Sequence, residues 1–103
     1  MTTTELEINK ELVVSTANIS METDKWLTSS DSSGIVCLFD HEYGYRVYIT
    51  QDKAMFKEEI QKLWSIGRWE LAELMLIAEE NGCKWLVLDC DGPKVPGRPE
   101  FNW

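Results

Sequence analysis

The apolar run over residues 84–92, Lys-Trp-Leu-Val-Leu-Asp-Cys-Asp-Gly, constrains the fold more than any other stretch of the chain. Apolar residues occupy both of its alternating faces, which is typical of a strand that is buried on both sides. The turn signal Asp91-Gly92 ends it abruptly. The run therefore predicts an inner strand of a sheet, over residues 84–90, that the rest of the chain covers.

Shorter patterns along the chain predict the other elements of an α+β domain. β-branched, apolar or alternating segments predict strands, and periodic apolar residues with capping signals predict helices. The strands are predicted over residues 11–17, 35–39 and 45–50, and the helices over 21–28, from the cap Asp52 to Gly67, and over 68–81.

The resulting order, β-α-β-β-α-α-β, predicts a mainly antiparallel sheet of about four strands with helices packed on one face. A ferredoxin-like order is one arrangement of such elements. In that order the first and fourth strands are not both inner, so it conflicts with an inner strand over 84–90.

The two ends of the chain differ from its middle. Residues 1–10 are polar and without apolar periodicity, which predicts a flexible arm. Residues 11–103 are predicted to form a single domain. The domain includes a proline-rich tail, which we expect to dock through Phe101 and Trp103 because disordered tails rarely end in aromatic residues.

The helical segments differ in how much of their surface is apolar. Phe56, Ile60, Leu63 and Trp64 recur at helical spacing and predict a single apolar stripe. The segment over 68–81 is apolar on most sides, so it must be buried deeply or contact a partner.

The charge of the chain is acidic and unevenly distributed. The chain has 18 acidic and 10 basic residues and a net charge of -8, and residues 1–42 hold eight of the acids and two of the bases. This argues against direct binding to nucleic acid or to an anionic membrane, because phosphate contacts require Lys and Arg. It favours a protein partner with a basic surface. The other interpretation is that the charge keeps a small protein soluble.

Cysteine usage and the start of the chain predict a cytoplasmic protein with reduced thiols. The chain has three cysteines, an odd number. The start Met-Thr-Thr-Thr-Glu has neither the basic nor the apolar segment of a signal peptide. No apolar run approaches the roughly 20 residues that a membrane span needs. We therefore expect free thiols and no membrane association.

Asp89 and Asp91 are the candidates for metal chemistry. Two acids two residues apart at the end of a strand point the same way and can hold Mg²⁺. The alternative is that Asp91 forms a turn with Gly92 while Asp89 bonds within the loop. No later acidic motif supplies further ligands, and the single histidine, His41, cannot build a zinc cluster. We therefore predict no catalytic residue and no cofactor.

Three motifs carry a resemblance to known proteins. They are Asn18-Ile19-Ser20 ahead of Trp26-Leu27, the hairpin Tyr43-Gly44-Tyr45-x-Val47, and the block Glu80-Asn81-Gly82-x-x-Trp85 with Asp89-Cys90-Asp91-Gly92 and Trp103. Over residues 18–103 the chain resembles small bacterial proteins of unassigned function on plasmids, integrative elements and prophages. The resemblance assigns no catalytic residue. It implies a setting in which small acidic proteins disable host defence systems by binding them.

The first functional hypothesis is a non-enzymatic acidic binding protein of the anti-CRISPR or antirestriction type. It would inhibit a bacterial defence complex by occupying a basic nucleic-acid-binding surface, with exposed aromatic residues as anchors. The residues predicted to contact the partner are Glu5, Glu7, Glu11, Glu22, Asp24, Asp31, Asp40, Glu42, Trp69 and Trp103.

Two alternatives belong to other functional classes. One is a small metal-dependent enzyme that uses Asp89 and Asp91. The other is a homodimer with the helix over 68–81 as its interface.

Overall fold

A computed structural model of the chain describes residues 10–28, 38–41 and 44–101, and for 38–41 it describes the backbone. These residues form an α+β domain, which confirms the predicted class. In chain order the elements are β1 (Glu11–Ser15), a 3-10 turn (Thr16–Asn18), α1 (Met21–Thr28), β2 (Leu38–His41), β3 (Gly44–Tyr48), α2 (Lys53–Ser65), α3 (Trp69–Glu80) and β4 (Trp85–Asp89).

The sheet is mixed and has the strand order β1-β4-β3-β2. β1 and β4 run parallel, whereas β4–β3 and β3–β2 are antiparallel pairs. β4 is therefore an inner strand, as its apolar run predicts. A ferredoxin-like sheet has its first strand inside, and here β1 lies at the edge, so that order is wrong. Burial gives the reason: Leu86, Val87 and Leu88 are all buried in β4, whereas Val13 of β1 is 39% exposed.

One face of the sheet packs against the helices. The apolar side chains that alternate onto this face belong to β1, β3 and β4, and they join α2 and α3 side chains in one core. The sheet contributes Leu12, Val14, Tyr45, Val47, Leu86 and Leu88, and the two helices contribute Phe56, Leu63, Leu71, Leu74, Met75 and Ala78.

The opposite face of the sheet carries an interlocked polar and aromatic group. The guanidinium of Arg46 lies 4.6 Å from the centre of the Trp85 ring. Its Nη2 also forms an ion pair of 2.9 Å with the Glu11 carboxylate. The Tyr48 ring meets Trp85 edge-on at 5.2 Å between centroids. Cross-strand pairs of this kind stabilise the register of neighbouring strands.

Every strand has at least one end that differs from its prediction by one or two residues, and two of these differences have a local cause. β1 ends at Ser15 because the Ser15 hydroxyl accepts the Ala17 N–H at 3.0 Å and starts the 3-10 turn. β2 includes Asp40 and His41, which lie beyond the end of the strand predicted over 35–39. Their pairing with β3 extends the strand to that point. Residues 35–37 of the predicted strand lie outside the described residues.

The α2 helix begins as predicted but buries a narrower stripe. Asp52 caps it and accepts the N–H groups of Ala54 and Met55. Phe56 and Leu63 are buried, whereas Trp64 is 50% exposed. Trp64 shares the apolar stripe but not the burial of its other members, because each residue turns the helix by about 100° and Trp64 lies beyond the core-facing side.

Among the described helices, α3 has the most buried residues. Its apolar side chains Leu71, Ala72, Leu74 and Met75 are fully buried within the chain's own core. This explains why its sequence is apolar on most sides. Among the helices in the described part of the chain, none has both the length and the apolar character needed to cross a bilayer.

The tail after β4 follows the end of β1 and the turn beyond it. The Ser15 N–H donates to Pro93 O at 2.9 Å, and the Phe101 N–H donates to Ala17 O at 2.7 Å. The buried Asn18 side chain accepts the N–H of Val95 and also donates to a tail carbonyl, both at 3.0 Å. These bonds hold the described tail against the domain. Trp103 lies outside the described residues.

Candidate functional site

Acids from separate parts of the sequence lie on neighbouring strands where β4 ends and β3 begins. Asp89, the last residue of β4, pairs with Gly44, the first residue of β3. On the other side of β3, the backbone of Asp40 pairs with Tyr45. The pairing register therefore brings an acid of the N-terminal half and the C-terminal acidic motif to the same edge.

The first turn of α1 adds two more acids to this edge. The Tyr45 hydroxyl donates to the Asp24 carboxylate at 2.7 Å, which holds α1 over the start of β3. Glu22 lies in the same turn and is exposed. We call the resulting set the acidic edge. It consists of Glu22, Asp24, Asp89 and Asp91, together with Asp40, which is placed there by its backbone pairing alone.

The Asp89-Cys90-Asp91 segment forms a tight turn. The Asp89 carboxylate accepts the Asp91 N–H at 2.9 Å, and the Asp89 carbonyl accepts the Gly92 N–H at 2.9 Å. The ligand-type atoms of Asp89, Cys90 and Asp91 lie within 4.8 Å of one another. Turn formation thus uses one of the carboxylate oxygens that a cation would need.

The Cys90 thiol at this turn is a weak nucleophile. Partial desolvation and the neighbouring carboxylates of Asp91 and Asp89 raise its pKa, although the side chain is exposed. The thiol therefore stays protonated at neutral pH, and a protonated thiol neither attacks electrophiles nor binds metals well.

A second feature is a pair of tryptophans at the turn between α2 and α3. The rings of Trp64 and Trp69 lie 6.3 Å apart between centroids. Trp64 is 50% exposed and Ile66, in the turn, is 36% exposed. Gly67 reverses the chain with a φ of +82°, a conformation that side chains other than glycine rarely adopt. We call Trp64, Ile66 and Trp69 the aromatic corner.

The aromatic corner and the acidic edge lie at the same end of the molecule. Glu70, one residue after Trp69, contacts the start of α1, which carries two acids of the edge. The Glu70 carboxylate accepts the Ser20 N–H at 3.2 Å and the Ser20 hydroxyl at 2.7 Å. It also accepts the Thr23 hydroxyl. The starts of α1 and α3 are thereby joined.

The Glu70 carboxylate is ionised in this setting. It is only 3% exposed, and burial by itself raises the pKa of a carboxyl group. The hydrogen bonds from Thr23 and Ser20 outweigh that effect, so the pKa of Glu70 is lowered from its usual value. The group therefore works as a buried anionic acceptor that fixes the geometry of this end.

A comparison with known protein families decides the relationship of the chain. Residues 11–103 match the family described as "Family of unknown function (DUF5983) C-terminal domain". The chain belongs to this family. No curated protein and no solved structure was found to match it.

The residues of the DUF5983 chain that were predicted to bind a partner do not form a single surface patch in the described structure. Glu11 forms the ion pair with Arg46 at the opposite end of the sheet from Asp89. Trp69 is half-buried against Trp64. Glu22, Asp24 and Asp40 lie on the acidic edge, as defined above. The residues that lie outside the described ones are Glu5, Glu7, Asp31, Glu42 and Trp103.

Sequence reasoning missed two contributors to this end of the DUF5983 chain. Trp64 was predicted only as a member of the apolar stripe of α2, because it fits the helical spacing of Phe56 and Leu63. Glu70 carried a signal that was available, namely an acid inside the most apolar helical segment of the chain. Such a residue is rarely buried without hydrogen-bond partners.

Proposed function

We propose that this chain is a non-enzymatic protein-binding domain whose partner contacts the acidic edge and the aromatic corner together. The observation that carries the proposal is the half-exposed Trp64, whose ring lies 6.3 Å from that of Trp69 at the end of the molecule that also holds the carboxylates. Exposed tryptophans backed by a second ring supply the large, rigid contact area of binding hot spots.

The carboxylates of the acidic edge complement this anchor. Like charges gathered at one edge attract a basic surface, accelerate the encounter and set the orientation of docking. Glu22 and Asp91 are exposed, so both are available to a partner. Asp24 and Asp89 also keep roles in the fold, through Tyr45 and the Asp91 N–H.

The partner that fits this chemistry is a cytoplasmic protein with a basic surface, of the kind that handles nucleic acid. Because the chain resembles small proteins of mobile elements, we propose a bacterial defence complex as its binding partner. In this proposal the chain inhibits the complex by occupying the surface on which nucleic acid binds. It does not bind nucleic acid itself, since its exposed charge at this end is negative.

The two other functional classes have less support from the geometry. One carboxylate oxygen of Asp89 accepts a hydrogen bond from the Asp91 N–H, which favours a turn over a catalytic metal site. Most apolar residues of α3 are buried within the chain, which leaves little of this helix for a homodimer interface; they are Leu71, Ala72, Leu74, Met75 and Ala78. A homodimer through the aromatic corner remains an outcome that sedimentation at two concentrations would detect.

The test is an affinity capture from nuclease-treated bacterial lysate, with the tagged full chain as bait at low and high salt. The captured complex is then purified and its affinity is measured for three variants. Trp64→Ala removes the anchor, and Glu22→Lys/Asp91→Lys reverses two exposed acids of the edge. Glu58→Lys/Glu80→Lys is the matched control, because it changes the net charge equally at exposed helix positions.

We expect the first two variants to bind at least tenfold more weakly and the control within about twofold of the original chain. Affinity should also fall with salt, because exposed charges are screened. The captured complex should lose nucleic-acid binding when the chain is added. Equal weakening by the edge variant and the control, or full affinity after Trp64→Ala, would contradict the proposal.

A further inference from the structure

A groove opens between the start of α2 and the end of α3, at the other end of the molecule from the acidic edge. Its volume is about 540 Å³, within the range of roughly 300 to 1,000 Å³ of small-molecule sites. Phe56 and Ile60 of α2 line it together with Leu76 of α3 and the Cys83 thiol. Phe56 and Cys83 are themselves buried, at 7% and 4% exposure, so the floor is solid and apolar.

The rim of the groove is charged on one side. Lys53 and Lys57 line it one helical turn apart on α2. Within the described part of the chain neither ammonium group has an ion-pair partner. The chain has a net charge of -8, so two cations without ion-pair partners beside an apolar floor give this groove a charge opposite to that of the chain as a whole. The opposite rim carries one acid, Glu79 of α3.

We propose that this groove binds an amphiphilic monoanion, with a carboxylate-type head between Lys53 and Lys57 and an unbranched hydrocarbon tail on Phe56, Ile60 and Leu76. The two ammonium groups supply charge-assisted hydrogen bonds to a single anionic head. The floor supplies the apolar area that makes burial of the tail favourable.

The polar lining also limits the charge of the ligand. Glu79 lies on the rim that faces the lysines, so a second anionic group at the far end of a ligand would meet a like charge. Among the lining residues Phe56 supplies the single aromatic ring, which leaves a purine or other flat base without a stacking pair. A flexible aliphatic chain fits these constraints better than a nucleotide or a dicarboxylate.

The experiment titrates the full chain with decanoate by calorimetry and compares two ligands with the same tail. 1-Decanol is neutral, and decyltrimethylammonium carries the opposite charge. Lys53→Glu/Lys57→Glu reverses both rim cations. Lys25→Glu/Lys62→Glu changes the net charge by the same amount at exposed helix positions away from the groove, and it is the matched control.

We expect decanoate to bind, and to bind about tenfold more weakly to Lys53→Glu/Lys57→Glu, since two ion pairs become two repulsions. The control should stay within about twofold. In a Cys37→Ser/Cys90→Ser chain, decanoate should slow the labelling of Cys83 by a small thiol reagent, because the thiol lines the groove. This locates the ligand without using affinity.

Four outcomes would overturn the proposal. The first is no binding of decanoate. The second is equal binding of decanoate and 1-decanol, which would remove the role of the lysines. The third is equal weakening by the two double variants, and the fourth is binding that leaves Cys83 labelling unchanged. In both of these last cases the ligand would lie elsewhere. None of these results bears on the acidic edge, which is tested separately.

Discussion

The buried carboxylate of Glu70 should be the most sensitive single group for the integrity of the proposed binding end. It accepts two hydrogen bonds from Ser20 and one from Thr23, and it is 3% exposed. The change Glu70→Gln keeps the shape and one acceptor oxygen but removes the charge. It therefore isolates the charge-assisted part of the contact between α1 and α3.

The magnitude follows from the three hydrogen bonds. A bond to a charged group contributes about 1.5 to 3 kcal/mol and a neutral one about 0.5 to 1.5 kcal/mol, so neutralisation costs about 1 kcal/mol for each bond. The amide is easier to desolvate than the carboxylate, which offsets part of that sum. We expect Glu70→Gln to lower the free energy of unfolding by about 2 kcal/mol. For a domain of this size that is a fall of roughly 8 to 16 °C in Tm.

The stability lost in Glu70→Gln should depend on pH in a defined direction. The pKa of Glu70 is lowered in the folded chain from the usual value of 4.5. Its contribution is therefore fully present above that value and is lost as the pH falls through the folded pKa. The difference between the original chain and Glu70→Gln should be largest near pH 7 and should shrink below pH 4.5.

Denaturant unfolding followed by tryptophan fluorescence, at pH 7 and at acidic pH, measures both quantities. Thr23→Val removes the hydroxyl donor at a fully buried site, and the double variant should show a coupling of about 1 kcal/mol with Glu70→Gln. Glu80→Gln, an exposed position at the other end of α3, should stay within about 0.5 kcal/mol of the original chain. A cost below about 0.5 kcal/mol for Glu70→Gln, or a cost that does not change with pH, would refute the reasoning.

Three further changes test other parts of the structure. Gly92→Ala places a methyl group 2.6 Å from the Val14 carbonyl oxygen, so the tail must move away from β1. We expect the free energy of unfolding in denaturant to fall by about 1 to 3 kcal/mol, and an unchanged unfolding midpoint would contradict this packing. Burial raises the pKa of Glu59 to about 7, so the stability of the original chain falls as the pH rises from 4.5 to 7. In thermal melting, Glu59→Gln should be more stable than the original chain by about 1 kcal/mol at pH 8, after allowance for solvent screening, and should show no gain at pH 4.5. Asn18→Ala removes both side-chain hydrogen bonds between Asn18 and the tail, so limited proteolysis should cleave the tail faster than in the original chain. Equal cleavage rates would show that the backbone hydrogen bonds are sufficient to hold the tail.

The elements of the fold were accessible to local rules. The alternation of β3 places Tyr45 and Val47 in the core and Arg46 on the open face, as its period of two predicts. The cap Asp52 and the breaker Gly67 bracket α2 as predicted. Each of these features depends on residues within a few positions of one another, so a single sequence is sufficient to recognise it.

The candidate binding end was only partly accessible. The acids of the N-terminal half were recognised, but Glu11 pairs with Arg46 far from Asp24, and no local pattern separates the two. The apolar stripe of α2 did not reveal that Trp64 is exposed, because helical spacing gives the angle between side chains and not the width of the core that receives them.

The sequence by itself determined which segments are helices and strands, and it made β4 an inner strand through an apolar run that requires cover on both faces. Only the tertiary structure decided that β4 lies between β1 and β3, and that Asp40, Asp89 and α1 therefore share one edge. The physical reason is the range of the interactions. Periodicity and capping act over a few residues, whereas strand neighbours are chosen by the burial of surfaces from the whole chain.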